Sequence, residues 1–259
     1  MGLATVLSGT VLGVCPELVR VEVDARRSGM RQFKVVGLPE SAVSEGRVRV
    51  ETALANTGYK PAEPRITVNL APAHLKKGGT ALDLPIALSI LAATGSPPEG
   101  LLPGLEGRLV VGELALDGRV RQVRGCIAYA LLARRLGLRS VVVPAANGAE
   151  AAVVEGVEVI PVGDLGQAVE VLRGARAPDE NRPDARLGPK VSDPDLVDVR
   201  GQVAARRALE VAAAGDHNLL MVGPPGAGKT MLARRLPGIC PPLSQEERLE
   251  VSVIHSVRG

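Results

Sequence analysis

Residues 223–230 read Gly-Pro-Pro-Gly-Ala-Gly-Lys-Thr, and together with their flanks they restrict what this chain can fold into more than any other feature. Asn218 to Val222 (NLLMV) has the apolar character of a strand, and Ala233 to Leu236 reads as part of a helix ended by Pro237. A G-x-x-x-x-G-K-[ST] pattern between a strand and a helix predicts a loop that cradles phosphate. Gly223, Gly226 and Gly228 let the backbone curl so that its N–H groups point inward, while Pro224, Pro225 and Ala227 fill the variable positions. The positive end of the following helix adds to the attraction. Lys229 supplies a point charge for the β- and γ-phosphates of a nucleotide, and the Thr230 hydroxyl can complete the shell of a Mg²⁺ ion. Hydrolysis requires a further carboxylate at the end of another strand. The residues after Thr230 hold no apolar strand ending in Asp or Glu, so the chain reads as the front portion of a longer ATPase or a truncated product, with little hydrolysis of its own expected.

The rest of the composition narrows the partners. With 46% apolar and 23% charged residues the chain is a folded protein with one or two cores. Aromatic residues are only 1%, which leaves no row of rings for stacking single-stranded bases. Basic and acidic residues balance from Met1 to Val199, and the net charge of +3 lies entirely beyond it, too little to announce a nucleic-acid partner. Cys15, Cys126 and Cys240 are widely spaced with no metal-type pattern, which fits a reducing cytoplasm. The opening MGLATVLSGTVLGVC lacks a positive leader region, and Val14 is too bulky for a cleavage site. No apolar run reaches membrane-spanning length, so no membrane partner is expected.

Along the chain, residues 1–173 alternate strand-like and helix-like stretches, predicting an α/β or α+β domain with mixed strands. Leu18 to Arg26 alternates apolar and charged residues at period two, and Phe33 to Gly37 is expected to be its neighbour. A helix carrying Val43, Val50 and Leu54 ends at Asn56-Thr57-Gly58, and Arg65 to Leu70 is the next strand. A polar loop, Ala71 to Thr80, leads to a helix from Leu82 to Thr94. Val110 to Leu116 with Asp117-Gly118 suggests a hairpin, and Ile127 to Leu136 is a helix stopped by Gly137. Val141 to Val143 and Val157 to Val162 read as strands separated by a short helix. Residues 174–198, rich in Pro, Asp, Arg and Gly, read as a linker, and residues 199–259 as a second domain. It opens with a helix from Gly201 to Ala214, and Ser244-Gln245-Glu246-Glu247 has the spacing of a capping box starting its last helix.

Four segments, LATVLSGTVLGV, FKVVGLPESAVSEGRVRVETALANTGY, ITVNLAPAHLKKGGTALDLPIAL and VRGQVAARRALEVAAAGDHNLLMVGPPGAGKTMLARRLPGI, together resemble the magnesium-chelatase-like AAA+ family known as YifB or ComM. The resemblance runs nearly end to end. It implies a Lon-protease-like mixed α/β domain, then a linker, then the start of a P-loop AAA+ domain that binds ATP with Mg²⁺. It also implies assembly into a hexameric ring and a link to DNA uptake and branch migration in natural transformation. By the same analogy, the adenine lies against the backbone around Val199, Gly201 and Gln202. The protease pattern is broken, because Ile86 aligns with the nucleophilic Ser and Ile127 with the basic Lys, so no peptidase activity is expected. Ser89, one helical turn from Ile86, reads as an ordinary helix residue.

Other candidates have plainer readings. The loop His74-Leu75-Lys76-Lys77-Gly78-Gly79 could grip phosphates, but two lysines make little field and a solvated turn is the expectation. His217 and His255 read as packed or surface residues. Arg234 and Arg235 read as helix-face charges, and Cys126 as a buried small residue. Glu40, Glu45 and Glu51 mark the wet face of a helix. Besides the DNA-remodelling ATPase, the alternatives are a metal-chelatase motor and a non-hydrolysing interaction module.

Overall fold

The computed structural model describes residues 2–26, 32–59, 65–95, 101–177 and 194–259. Most of the linker expected at 174–198 lies outside them. Nine strands are described: β1 (Gly2–Leu12), β2 (Cys15–Arg26), β3 (Gln32–Val36), β4 (Arg65–Ala71), β5 (Arg108–Val110), β6 (Glu113–Leu114), β7 (Val120–Arg121), β8 (Ser140–Pro144) and β9 (Glu158–Val162). Seven form one sheet in the order β3-β4-β2-β1-β5-β8-β9, and β6 with β7 forms the small hairpin expected around Asp117-Gly118. β1 and β2 are an antiparallel hairpin, and β4 continues antiparallel to β2. The β3–β4, β1–β5, β5–β8 and β8–β9 pairs are parallel. This is an α/β fold with a mostly parallel sheet. Phe33 to Gly37 does not neighbour Leu18 to Arg26, as expected from sequence, because β4 inserts between β3 and β2.

The helices of this part are α1 (Ser41–Asn56), α2 (Asp83–Thr94), α3 (Leu101–Leu105), α4 (Cys126–Arg135), α5 (Gly148–Ala151) and α6 (Leu165–Leu172). Period-two alternation sends successive strand residues to opposite faces, each with its own core. Val110 and Val142 join a cluster with Val19, Val21 and Val23 of β2 and the apolar sides of α1, α2, α3 and α6. Leu109, Val111, Val141 and Val143 point the other way, into a cluster with α4 and α5. The α4 helix lies close on β1, since a Cβ on Gly9 would come within 2.9 Å of the Tyr129 ring. Gly58, Gly95 and Gly137 follow their helices with positive φ, the left-handed stop that glycine takes without strain.

One ion pair joins two helices on the first core. Arg49 of α1 donates to both carboxylate oxygens of Asp83, at 2.7 and 3.1 Å, where α2 begins. Asp83 is 1% exposed, and Leu114 N–H adds a bond at 3.3 Å. Burial pushes its carboxyl up to about 6, and Arg49 holds it from rising further.

The chain divides into two compact units, residues 1–185 with 249–259, and residues 186–248. Leu196 is buried in the second unit's core, and the apolar residues Leu249 and Val253 are buried in the first unit. The second unit contains α7 (Val203–Gly215), α8 (Lys229–Ala233), α9 (Leu236–Ile239) and the start of α10 (Gln245–Arg258). Its core is Leu196, Val199, Leu209 and Leu232. The strand expected at Asn218 to Val222 is not formed, and Leu220 and Val222 are 86% and 87% exposed. Among the described residues no other strand of this unit offers a ladder, and an extended segment needs one to satisfy its backbone. Pro237 does not end a helix. It lies in the first turn of α9, where its missing N–H is harmless, and α8 ends four residues earlier at Ala233.

Candidate phosphate-binding site

The segment Gly223 to Thr230 enters α8 through two left-handed glycines, Gly226 at φ +81° and Gly228 at φ +79°. Open space surrounds Gly226, so the need for glycine there is conformational rather than steric. The Ala227 N–H bonds back to Pro224 O at 3.3 Å, and Gly228 O receives Leu232 N–H in the first helical turn. The Lys229 ammonium turns back over the loop, donating to Gly223 O and Pro224 O at 2.8 Å each. Gly223, Pro224, Pro225, Gly226 and Thr230 are exposed, while Ala227, Gly228 and Lys229 are half-buried. A cation inside a Gly-rich curl at a helix start suits a polyphosphate anion.

The second group of predicted residues lies beside this loop. Gln202 adopts φ +51° just ahead of α7, and its side-chain amide reaches Ala227 O at 3.5 Å. Gly201 precedes it at φ +70°. Val199 is buried, and its carbonyl accepts from Arg206 at 3.3 Å. The structure thus brings Gln202 to the loop and anchors Val199 through α7. Arg235, expected as a helix-face charge, instead donates to Asp195 O at 3.0 Å and Met231 O at 2.9 Å, tying the entry segment to α8. No periodicity reveals the Arg235 bond to Asp195, because that carbonyl lies 40 residues away in sequence. Arg234 is exposed, as expected.

The other candidates fall elsewhere. Ile86 is buried in the first cluster and Ile127 in the second. Ser89 is buried in α2 and donates to Val21 O at 3.4 Å. In the loop after β4, His74 and Lys76 are exposed, but Lys77 is not the solvated residue expected. Its side chain is fully buried, with the ammonium bonded to Gly37 O at 2.8 Å and to Pro72 O. Burial lowers its pKa. The loop folds inward because Lys77 also bridges Pro39 and its carbonyl accepts from Glu40 N–H. Cys126 is buried as expected, and burial pushes its thiol well up. Glu40 and Glu45 are exposed, Glu51 pairs with Arg47 at 3.2 Å, and His217 and His255 are exposed. Among the described residues no group of three or more His, Cys, Asp or Glu can hold a metal ion, and no helix is long and apolar enough to cross a membrane.

Comparison with known proteins places this fold and loop among the magnesium-chelatase-like proteins. A family model described as subunit ChlI of Mg-chelatase matches residues 21–147, and one described as magnesium chelatase, subunit ChlI, matches residues 195–259. The Mycobacterium tuberculosis protein Rv2897c is 46% identical over 259 residues, covering 100% of this chain and 50% of that protein. YifB of Escherichia coli is 41% identical over 257 residues, and the competence protein ComM of Haemophilus influenzae 41% over 261 residues, each covering 99% of this chain and 50% of the relative. This chain belongs to the YifB/ComM family. It spans about half the length of these curated relatives.

Proposed function

We propose that residues Gly223 to Thr230 bind the phosphates of ATP, with Thr230 toward Mg²⁺ and the Val199 to Gln202 segment beside the base. The observation that carries this reading is the Lys229 ammonium folded back onto the Gly223 and Pro224 carbonyls of a loop that turns through the left-handed Gly226 and Gly228. When bound, the metal neutralises phosphate charge and orients the terminal phosphoryl group. Lys229 trades its two carbonyls for phosphate oxygens, and the loop N–H groups orient the chain of phosphates. Residues 1–173 act as an inactive Lon-protease-like platform, and residues 199–259 form the start of an AAA+ module. In the whole protein this module drives a hexameric ring in the cytoplasm that remodels or branch-migrates DNA during natural transformation. The name of the competence relative supports that role. A metal-chelatase motor is the second reading, favoured by the descriptions of the two family models.

Titration with a fluorescent ATP analogue in Mg²⁺ tests the central claim. The parent chain binds it, and Lys229→Ala weakens binding at least about tenfold, the scale of one charge-assisted contact. Equal binding by the two overturns the assignment. Light scattering with Mg-ATP reads assembly, and gel shifts of branched DNA against duplex read the partner.

A further inference from the structure

The last helix makes an attachment that the phosphate site does not use. Leu249, Val253 and Val257 recur four residues apart along α10 and turn one edge toward the second cluster of the first unit. Leu249 is 6% and Val253 7% exposed. A polar lock completes the seam. Ser256 donates its hydroxyl to Glu150, and its carbonyl accepts from Gly125 N–H at 2.9 Å. The other Glu150 oxygen accepts from Asn147 at 2.6 Å. Asn147 is fully buried and clamped to Val123 N–H at 2.9 Å and Val123 O at 3.0 Å. The carboxylate that reads Ser256 is therefore held by a buried amide with little freedom of its own. Gly125, at φ +77°, keeps the approach open, because a Cβ there would sit 3.3 Å from the Val257 side chain.

The seam is narrow. A cavity of about 660 Å³ edged by Arg124, Ser252 and His255 flanks it, and another of about 450 Å³ edged by Val14 and Leu131 reaches Val253. Val251 and Ile254, on the outer side of α10, are 42% and 53% exposed, so the helix carries a second apolar edge with no partner among the described residues. A helix held by one line of apolar side chains and one polar lock, between two cavities, opens before a core that is packed on all sides.

We propose that residues Leu249 to Val257 form a releasable strap, seated in a groove of α4 and α5 and exchanging between docked and free states while the rest of the first unit stays folded. The strap is specific for this segment of the same chain, through the spacing of Leu249, Val253 and Val257 and the Ser256–Glu150 contact. The reading is independent of nucleotide.

Hydrogen exchange followed by mass spectrometry on the full chain tests it. In the parent, α10 amides are protected relative to an unstructured peptide, yet exchange about tenfold or more faster than those of β2 and α2. Val253→Asp removes that protection and leaves β2 and α2 unchanged. Ser256→Ala gives an intermediate loss, and Ile254→Asp none. The strap is overturned if α10 exchanges as slowly as β2, if it shows no protection in the parent, if Ile254→Asp acts like Val253→Asp, or if Val253→Asp unprotects β2 and α2 as well. Loss of α10 protection on dilution, with a matching fall in mass by light scattering, assigns the groove to a second copy and overturns the same-chain occupant.

Discussion

At the scale of single residues, the pair Arg49–Asp83 and the lone Lys77 are both buried, with opposite consequences. The Asp83 carboxyl stands at about 6 in the folded chain, above the ordinary aspartate value, because desolvation outweighs the pull of Arg49. A folded pKa above the unfolded one means that the folded state binds the proton more tightly, so this contribution is fully present below about pH 4 and lost as pH rises through about 6. The rise corresponds to about 3 kcal/mol. Urea unfolding at pH 4 and pH 7 reads it as a parent-minus-Asp83→Asn difference that falls by that order across the window; a flat difference contradicts the account. Lys77 acts through its donors. Lys77→Met keeps the volume but strips Gly37 O and Pro72 O of a buried partner, destabilising by about 1–3 kcal/mol. Its exposed neighbour tolerates Lys76→Met within about 0.5 kcal/mol. Chemical denaturation separates the two, and equal effects would mean that Lys77 is not buried as described. No sequence pattern distinguishes the adjacent lysines, since only the fold decides which one meets the carbonyls of a distant segment.

At the scale of elements, legibility follows periodicity. The alternation in LVRVEVDAR is legible because Val19, Val21, Val23 and Ala25 all face one core. β1 escapes the same reading, since its inward positions include the buried polar residues Ser8 and Thr10 beside Ala4 and Val6, which blurs the apolar alternation. The capping box ahead of α10 is legible and present, with Ser244 N–H donating to Glu247 at 2.7 Å and Glu247 N–H to the Ser244 hydroxyl at 3.3 Å. The segment NLLMV has strand composition but no ladder partner in its unit, and composition alone does not satisfy a backbone. Contacts between elements are the least visible in sequence. A Cβ on Gly104 of α3 would overlap the carbonyl of Leu172 in α6, although nothing around Gly104 marks it in sequence. Gly104→Ala should push the two helices apart and cost about 2 kcal/mol or more, lowering the thermal midpoint by about 4–8 °C. An unchanged midpoint would place α3 away from α6.

At the scale of the molecule, the two compact units differ greatly in their stake in burial. The first has extensive apolar clusters on both faces of its sheet, and the second, among the described residues, has one small cluster of Leu196, Val199, Leu209 and Leu232. Residues 194–248 should therefore show hydrogen exchange and limited proteolysis well before β2 and α2. On the proposed function, nucleotide binding at the loop stabilises the second unit with the logarithm of ligand concentration over Kd, by about 2.7 kcal/mol at a hundredfold excess over Kd. Proteolysis with and without Mg-ATP checks this, and Lys229→Ala reduces the difference, by about 1.3 kcal/mol for a tenfold loss of affinity.

The sequence by itself made legible the period-two strand β2, the glycine stops after α1 and α4 and the glycine-rich curl ahead of α8, because each of these resides in residues close together in the chain, and it made the family legible through motifs spread along the chain. Tertiary structure alone decided that β4 separates β3 from β2, that Lys77 is buried while Lys76 is not, that Ile86 and Ile127 lie in different cores, and that Gln202 reaches Ala227. It also decided that Leu249 and Val253 belong with the first unit. The reason is common to all of them. Which side of a strand or helix finds an apolar partner depends on segments far away in sequence, and the free energy of burying that side is realised only when those segments meet.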